Sequence, residues 1–238
     1  MRLNDPALVR DEYASEERLA ARAAVYSDAQ GPDARDVVLQ LLREAAPARV
    51  LEVGCGWGEL ADRIERELCC EVVAVDLSPR MVELARERGV DARLADVQEL
   101  PFGEGDFDCA VAAWMLYHVP DLDRGLAELA RILRPRGRLL AITNSERHLS
   151  ELWELVDGYR DHVVGFSVEN GEEALRRHFE RVERRDVAPV VVFPDDTAAR
   201  AYIRASVTRA HLAERLPPFE GPLRATRRST VFSAEKTE

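Results

Sequence analysis

The stretch Arg49-Val50-Leu51-Glu52-Val53-Gly54-Cys55-Gly56-Trp57-Gly58-Glu59-Leu60 constrains the fold more than any other. Its apolar run is too short for a helix and stops at a glycine, so it reads as a buried parallel strand. Glycines at 54, 56 and 58 let the backbone turn sharply and lie flush against a ligand, because no Cβ intervenes. Leu60, Ala61, Ile64 and Leu68 then recur at helical spacing. A helix that begins at the glycines points its unpaired N–H groups at whatever sits there.

The chain around this stretch alternates in the same way. Asp33 stands where it can cap a helix carrying Val37, Val38, Leu41, Leu42 and Ala45, and Pro47 ends it. Glu71 to Val75 predicts a second strand finishing at Asp76, followed by a helix that starts at Ser78-Pro79 and uses Met81, Leu84 and Ala85 as its apolar face. Asp91 to Ala95 reads as a short third strand ending at Asp96, and Phe107 to Ala113 as a fourth. Asp121 caps a helix expected to run to Pro135-Arg136-Gly137, and Leu139 to Thr143 is a fifth strand. Alternation at this spacing predicts βαβ units. The expected fold class is α/β, a doubly wound, mostly parallel seven-stranded Rossmann-like sheet with helical insertions forming a substrate cap. Ligands in such sheets sit beyond the carboxyl ends of the strands, and glycines 54 to 58, Asp76, Asp96 and Trp114 all fall at such ends.

Beyond Thr143 the pattern changes. Ser145 to Val164 reads as helix, with Leu149, Leu152, Trp153, Val156 and Tyr159 on its less polar face, and a second helix runs from Glu172 to about His178. A strand pair is expected within Phe179 to Phe193, a helix over Asp195 to Leu216, stiff loop to Pro222 and a last strand at Thr230 to Ala234. The division that follows is one domain, 1–238, with a helical arm at 1–30 and a core at 31–144. Cap insertions occupy 145–178 and 194–222, and the final strands 179–193 and 223–235.

With 238 residues, 46% of them hydrophobic, the chain can bury one large core. A net charge of −11 argues against a nucleic-acid or anionic-membrane partner, since each phosphate contact wants a cation. Cys55, Cys69, Cys70 and Cys109 form no CxxC pair and have no histidine at ligand spacing, so neither a metal site nor a disulfide framework is expected. Met1 to Glu17 is polar and no later apolar run would span a bilayer, which gives a cytoplasmic expectation.

Four motifs now stand in order. They are Glu52-Val53-Gly54-Cys55-Gly56-Trp57-Gly58, then Val75-Asp76-Leu77-Ser78 with Met81 and Ala85, then Ala95-Asp96-Val97 with Leu100-Pro101-Phe102 and Phe107-Asp108 leading to Leu116-Tyr117-His118-Val119, and last Leu133-Arg134-Pro135-Arg136-Gly137-Arg138-Leu139. As a set, over about Val50 to Thr143, they resemble the class I S-adenosylmethionine-dependent methyltransferases, specifically the type 11 small-molecule group. The resemblance implies S-adenosylmethionine as cofactor, S-adenosylhomocysteine as product, and methylation of an oxygen, nitrogen or carbon atom of a small metabolite.

It also implies roles. The Gly54, Cys55 and Gly56 backbone would lie along the methionine portion and ribose, with Glu52 organising the turn. Asp76 would accept from the ribose hydroxyls, a diol to which a carboxylate offers two oxygens. Leu77 and Val97 would sandwich the adenine, Asp96 would take its exocyclic amine, Met81 of the second motif would be a further cofactor contact, and Trp114 would lie near the methyl-bearing sulfur. In the arm, which also carries Tyr13 and Tyr26, Arg22 is chosen over Arg18 as partner of the cofactor carboxylate. His118 is the first candidate general base, its ordinary pKa lying near neutrality. His148, His162, Tyr159 and Asp157 are alternatives. Tyr117, Trp153 and Tyr159 are the expected substrate contacts.

Rival readings fail on particular residues. A nicotinamide-dependent oxidoreductase with G-x-G-x-x-G would want glycine where Glu59 stands. The short-chain reductases need a tyrosine four residues before a lysine, but Lys236 is the only lysine and Phe232 precedes it. No Gly-Lys pair supports a P-loop. At the fourth strand's end Ala112-Ala113-Trp114-Met115 lacks the Asn- or Asp-Pro-Pro-aromatic stretch of base-amine methylases and the acidic metal ligands of the catechol type. Asp108, not proline, precedes Cys109, against a cytosine C5 nucleophile. A non-catalytic sensor of the same cofactor stays open.

Overall fold

The computed structural model describes residues 4–5, 8–9, 11, 13, 16–156 and 165–237. Strands β1 (Arg49–Val53), β2 (Glu71–Asp76), β3 (Asp91–Leu94), β4 (Phe107–Ala113), β5 (Leu133–Asn144), β6 (Arg181–Val187) and β9 (Ser229–Glu235) form a seven-stranded sheet in the order β3-β2-β1-β4-β5-β9-β6. The first five run parallel, and β9 lies antiparallel between β5 and β6. The order reverses between β1 and β4, so a crevice opens where the turns after these two strands diverge.

The parallel strands are apolar on both faces because helices cover both. Leu51, Val53, Ala110 and Ala112 face a core shared with Leu126 and Leu129 of α5 (Leu122–Ile132). Val50, Val72, Val111 and Ile142 face another, shared with Leu39 and Leu42 of α2 (Ala34–Ala45) and Ile64 of α3 (Glu59–Leu68). The expected caps are in place. Asp33 accepts from Arg35 N–H, Asp121 from Arg124 N–H, and Ser78 caps α4 (Pro79–Glu87) by accepting from Met81 N–H.

Differences from the sequence reading are local and have local causes. Helix α5 stops at Ile132, and Leu133 already pairs with Phe107; the ladder then shifts register before Cys109 meets Arg138. A Cβ on Gly137 would stand 2.8 Å from the Arg134 carbonyl, so only glycine lets the strand pass this shift. Among its described residues, 145–156, the segment read as a long helix after Ser145 holds only α6 (Ser150–Trp153), because Leu149 N–H donates to the Thr226 carbonyl and ties the chain to a neighbouring hairpin. Residues 157–164, which carry Asp157, Tyr159 and His162, lie outside the described residues. The second helix is α7 (Gly171–Leu175).

The expected strand pair is not a pair. β6 joins β9, whereas β7 (Val190–Phe193) joins β8 (Leu223–Thr226) in a separate two-stranded sheet. Pro189 has no N–H to continue the first ladder, and its carbonyl instead accepts from Arg227 N–H. The helix expected over 195–216 divides into α8 (Asp196–Arg204) and a tighter turn at Ala210–Arg215. Around the small sheet Leu152, Trp153, Phe193, Tyr202, Ile203 and Leu212 form a third core, against which Val25 and Tyr26 of α1 (Glu16–Ser27) pack. The cap and the N-terminal arm thus share one core above the sheet's rim. No described helix is long and apolar enough to cross a membrane.

Candidate active site

A cavity of about 880 Å³ opens at the carboxyl ends of the parallel strands, between the sheet's rim and the cap. One wall is made by the turns after β1, β2, β3 and β4, the other by the arm, α6, α8 and the β8–β9 hairpin.

On the rim, Gly54 and Gly56 have φ of +67° and +54°, a region that costs residues with a Cβ. A Cβ on Gly54 would lie 2.7 Å from Met115 Cβ, whereas one on Gly56 would meet only Leu19 Cδ2, at 3.6 Å. The turn is held to its neighbour strand by Asp76, which accepts from Gly56 N–H at 2.9 Å and from Ser78 N–H at 2.8 Å. Each carboxylate oxygen thereby keeps acceptor capacity toward the cavity that Asp76 lines. Burial raises its pKa above the usual carboxylate value, and the backbone N–H groups oppose the rise.

Glu52 is the most unusual group of this wall. It is 2% exposed, it accepts from the backbone N–H of Ala61 in the first turn of α3, and its Oε2 is buried without a hydrogen-bond partner among the described residues. Gly58, at the cap position of α3, supplies no side chain, so the strand's carboxylate satisfies one of the helix's open donors instead. Burial pushes Glu52 up to about 8, with Asp76 and Glu59 adding to the rise. Cys55, also buried, has its thiol pushed well above the ordinary range by the same desolvation, so it offers backbone rather than thiolate.

Asp96 lines the cavity while holding Gln98 through its backbone N–H (2.9 Å) and side-chain amide. Val97 is buried and Leu77 is 44% exposed, both on the cavity wall. Two apolar side chains on the wall of one cavity suit a flat apolar ligand. Trp114 follows β4 with φ +53° and donates its indole N–H to Asn144 Oδ1 at 3.1 Å.

His118 and Tyr117 sit on the short turn Leu116–His118, and both line the cavity. His118 Nε2 lies 3.0 Å from the Tyr13 hydroxyl, and the three rings meet edge to face. Tyr117 has its phenol pushed far above the ordinary range, chiefly by desolvation, so it is a neutral donor. In the arm, Arg22 lines the cavity and donates to the Ala205 carbonyl at 2.7 Å, while Arg18 turns outward to Asp11. On the cap, Trp153 lines the cavity under the Arg209 guanidinium. Tyr26, Tyr202 and His148 are linked hydroxyl to hydroxyl (2.6 Å) and hydroxyl to imidazole (3.2 Å).

Two expectations are corrected. Met81 is not in the cavity wall; it is 1% exposed in the first turn of α4, where its N–H meets the Ser78 cap. His148 lines the cavity, but burial and the nearby Arg227 and Arg209 charges push it down to about 3, leaving an imidazole too weakly basic for a base role. Tyr159, a proposed substrate contact, is among the residues not described. The wall also contains Met115, Asn144, Tyr202 and Arg227, which nothing local in the sequence marks. Among the described residues no group of three or more His, Cys, Asp or Glu side chains could hold a metal ion.

Strand order, switch-point crevice and acidic strand ends define a Rossmann-like sheet of the methyltransferase type. Comparison with known proteins agrees. A family profile described as a methyltransferase domain matches residues 51–141, ending just before the cap begins. A ubiquinone biosynthesis O-methyltransferase of Xanthomonas oryzae is 37% identical over 142 residues, covering 53% of this chain and 59% of that protein. A malonyl-[acyl-carrier protein] O-methyltransferase of Serratia marcescens is 35% identical over 154 residues, covering 61% and 60%. The chain thus spans about three fifths of the length of these relatives. The solved structure of a Burkholderia thailandensis 1,6-didemethyltoxoflavin N1-methyltransferase with bound substrate and S-adenosylhomocysteine shares the fold, with TM-score 0.59, 24% identity and coverage of 98% and 88%. Residues 51–141 thus match a methyltransferase domain, and the chain as a whole shares the fold of the solved methyltransferase.

Proposed function

We propose that the chain binds S-adenosylmethionine along the acidic rim and transfers its methyl group to an oxygen, nitrogen or carbon atom of a small metabolite held against the cap. The observation that carries this reading is the meeting of Gly54, Gly56, Glu52, Asp76 and Asp96 in one cavity at the strand ends. The match of residues 51–141 to a methyltransferase domain and the named activities of the relatives support it.

The residues suit such a cofactor chemically. Asp76 offers acceptors to a ribose diol, Asp96 one to an exocyclic amine, and Leu77 and Val97 two apolar faces for adenine. The unpartnered Glu52 carboxyl, which holds its proton near pH 7, becomes an anion when a cationic ligand displaces that proton, and Arg22 offers positive charge for a carboxylate. Bound there, the cofactor supplies a methyl on a positively charged sulfur, so the hard chemistry is its own. The chain's share is alignment, which by proximity contributes up to about 7–11 kcal/mol. Trp114 walls the sulfur side, Tyr117 and Trp153 hold the acceptor, and the described residues of 145–156, 165–178 and 194–222 form the cap that excludes water. His118 takes a proton from acceptors that carry one at neutral pH, with Tyr13 fixing its ring.

Titration calorimetry with S-adenosylhomocysteine tests the binding half, and no heat of binding would end the reading. Incubation with methyl-labelled cofactor and a metabolite extract tests the transfer. Label on any small molecule is the expected outcome, and binding without transfer would leave a sensor. His118→Asn should suppress that label while leaving S-adenosylhomocysteine affinity in place.

A further inference from the structure

Arg227 lies in the two-residue turn between β8 and β9 and is 8% exposed. Its guanidinium carbon is 4.1 Å from the Tyr26 ring centre and 4.4 Å from that of Trp114, so an aromatic ring from the arm and another from the rim hold it at close range. Its backbone is fixed as well, since its N–H donates to the Pro189 carbonyl at 2.9 Å. The next residue, Arg228, pairs with Glu151 at 3.0 Å. Among the described residues neither an ion pair nor a side-chain hydrogen bond engages the Arg227 guanidinium, although it lines the cavity.

Among the described residues no carboxylate pairs with Arg227 directly, although its charge helps to lower the Asp33 pKa. Asp33 is held by Arg35 at 2.8 Å. His148 is neutral, and Tyr26 has its phenol pushed well above the ordinary range by desolvation. Trp114 spends its N–H on Asn144. Aromatic faces attract a guanidinium but leave its N–H groups unsatisfied. A desolvated, unpaired cation beside a cavity is costly unless a ligand brings the anion.

We infer that Arg227 is an anion subsite of the acceptor pocket, so that the metabolite methylated here carries a carboxylate or phosphate on an apolar or aromatic body. This rests on the methyl-transfer reading above. The planar fork matches either oxyanion through paired N–H donors. Trp114, Tyr26 and Tyr202 provide the apolar surroundings for the rest of the molecule.

The test uses the protein loaded with S-adenosylhomocysteine and three probes: benzoate, phenyl phosphate and benzamide. One of the two anions should bind at least about tenfold tighter than the neutral amide, as a charge-assisted bond predicts, and the tighter one tells carboxylate from phosphate. Arg227→Gln should erase the preference and keep S-adenosylhomocysteine affinity within about twofold. Arg227→Lys, which keeps charge but not the fork, should retain part of it and serves if the glutamine variant does not fold. Equal binding of all three probes, or no binding of either anion, overturns the inference. So does a loss of S-adenosylhomocysteine affinity in Arg227→Gln, which would give the guanidinium to the cofactor's own carboxylate. If the wild-type protein binds no S-adenosylhomocysteine, the methyl-transfer reading fails instead, and the anion preference is read on the unloaded protein.

Discussion

The two walls of the cavity are built by opposite means. The rim is acidic and assembled from strand ends, where Glu52, Asp76 and Asp96 are each tied to backbone N–H groups within a few residues of a sheet strand. The facing wall is cationic and aromatic, and its contacts bridge distant segments: Tyr26 reaches Tyr202, His148 and Arg227, and Arg22 reaches Ala205. A ligand spanning the cavity therefore meets negative charge at one end and positive charge at the other. That polarity suits a cationic methyl donor against the sheet and an anionic acceptor against the cap.

Asp76→Ala should break the acidic side most severely. It removes the acceptor proposed for the ribose and frees Gly56 N–H and Ser78 N–H at once. We expect S-adenosylhomocysteine affinity to fall more than about tenfold by calorimetry, since each lost bond to a charged group is worth about 1.5–3 kcal/mol. Circular dichroism should still report a folded protein. Unchanged affinity would reduce Asp76 to a clamp on the glycine turn.

Glu52→Gln sharpens the comparison through pH. Because burial lifts the Glu52 carboxyl to about 8, the folded chain keeps a proton that the unfolded chain loses near pH 4.5. Its stability contribution is complete below the unfolded value and drains away as pH rises through about 8. The glutamine variant mimics the protonated form. Its melting temperature should match wild type near pH 5 and exceed it increasingly toward pH 8 and above, the range being set by that carboxyl's pKa. The same substitution should weaken S-adenosylhomocysteine binding by about threefold to tenfold, for want of a carboxylate facing its ammonium. Wild-type binding near pH 7 should release a fraction of a proton, read from the buffer dependence of the heat. Identical pH profiles for the two proteins would remove Glu52 from the acidic wall.

The same contrast governs what could be read from the chain alone. The rim was legible because strand, glycine turn and terminal acid follow one another within a few residues, and parallel strands place every such end on one edge. The facing wall was not. β7 reads as a partner for β6, and only the loss of a donor at Pro189 and the Gln30–Val190 bridge send it to another sheet. Arg227 and Arg228 are indistinguishable in sequence, yet one is paired with Glu151 and the other lies between two rings. Met81 erred the other way, since an apolar residue next to a motif turned inward to the core.

The smallest expected effect probes the hydroxyl chain that joins arm to cap. Tyr202→Phe keeps the ring among Trp153, Phe193 and Tyr26 and removes only the 2.6 Å bond to the Tyr26 hydroxyl. Tyr26 retains His148 Nε2 at 3.2 Å as a partner, so no buried group is left wholly unsatisfied. The cost should then be that of a single neutral hydrogen bond, about 1 kcal/mol by denaturant unfolding. S-adenosylhomocysteine affinity should stay unchanged, because the rim does not depend on this link. A variant that loses cofactor affinity without losing stability would mean that the arm, held down by this hydroxyl pair, closes the acidic wall as well as its own, and the two walls would have to be treated as one.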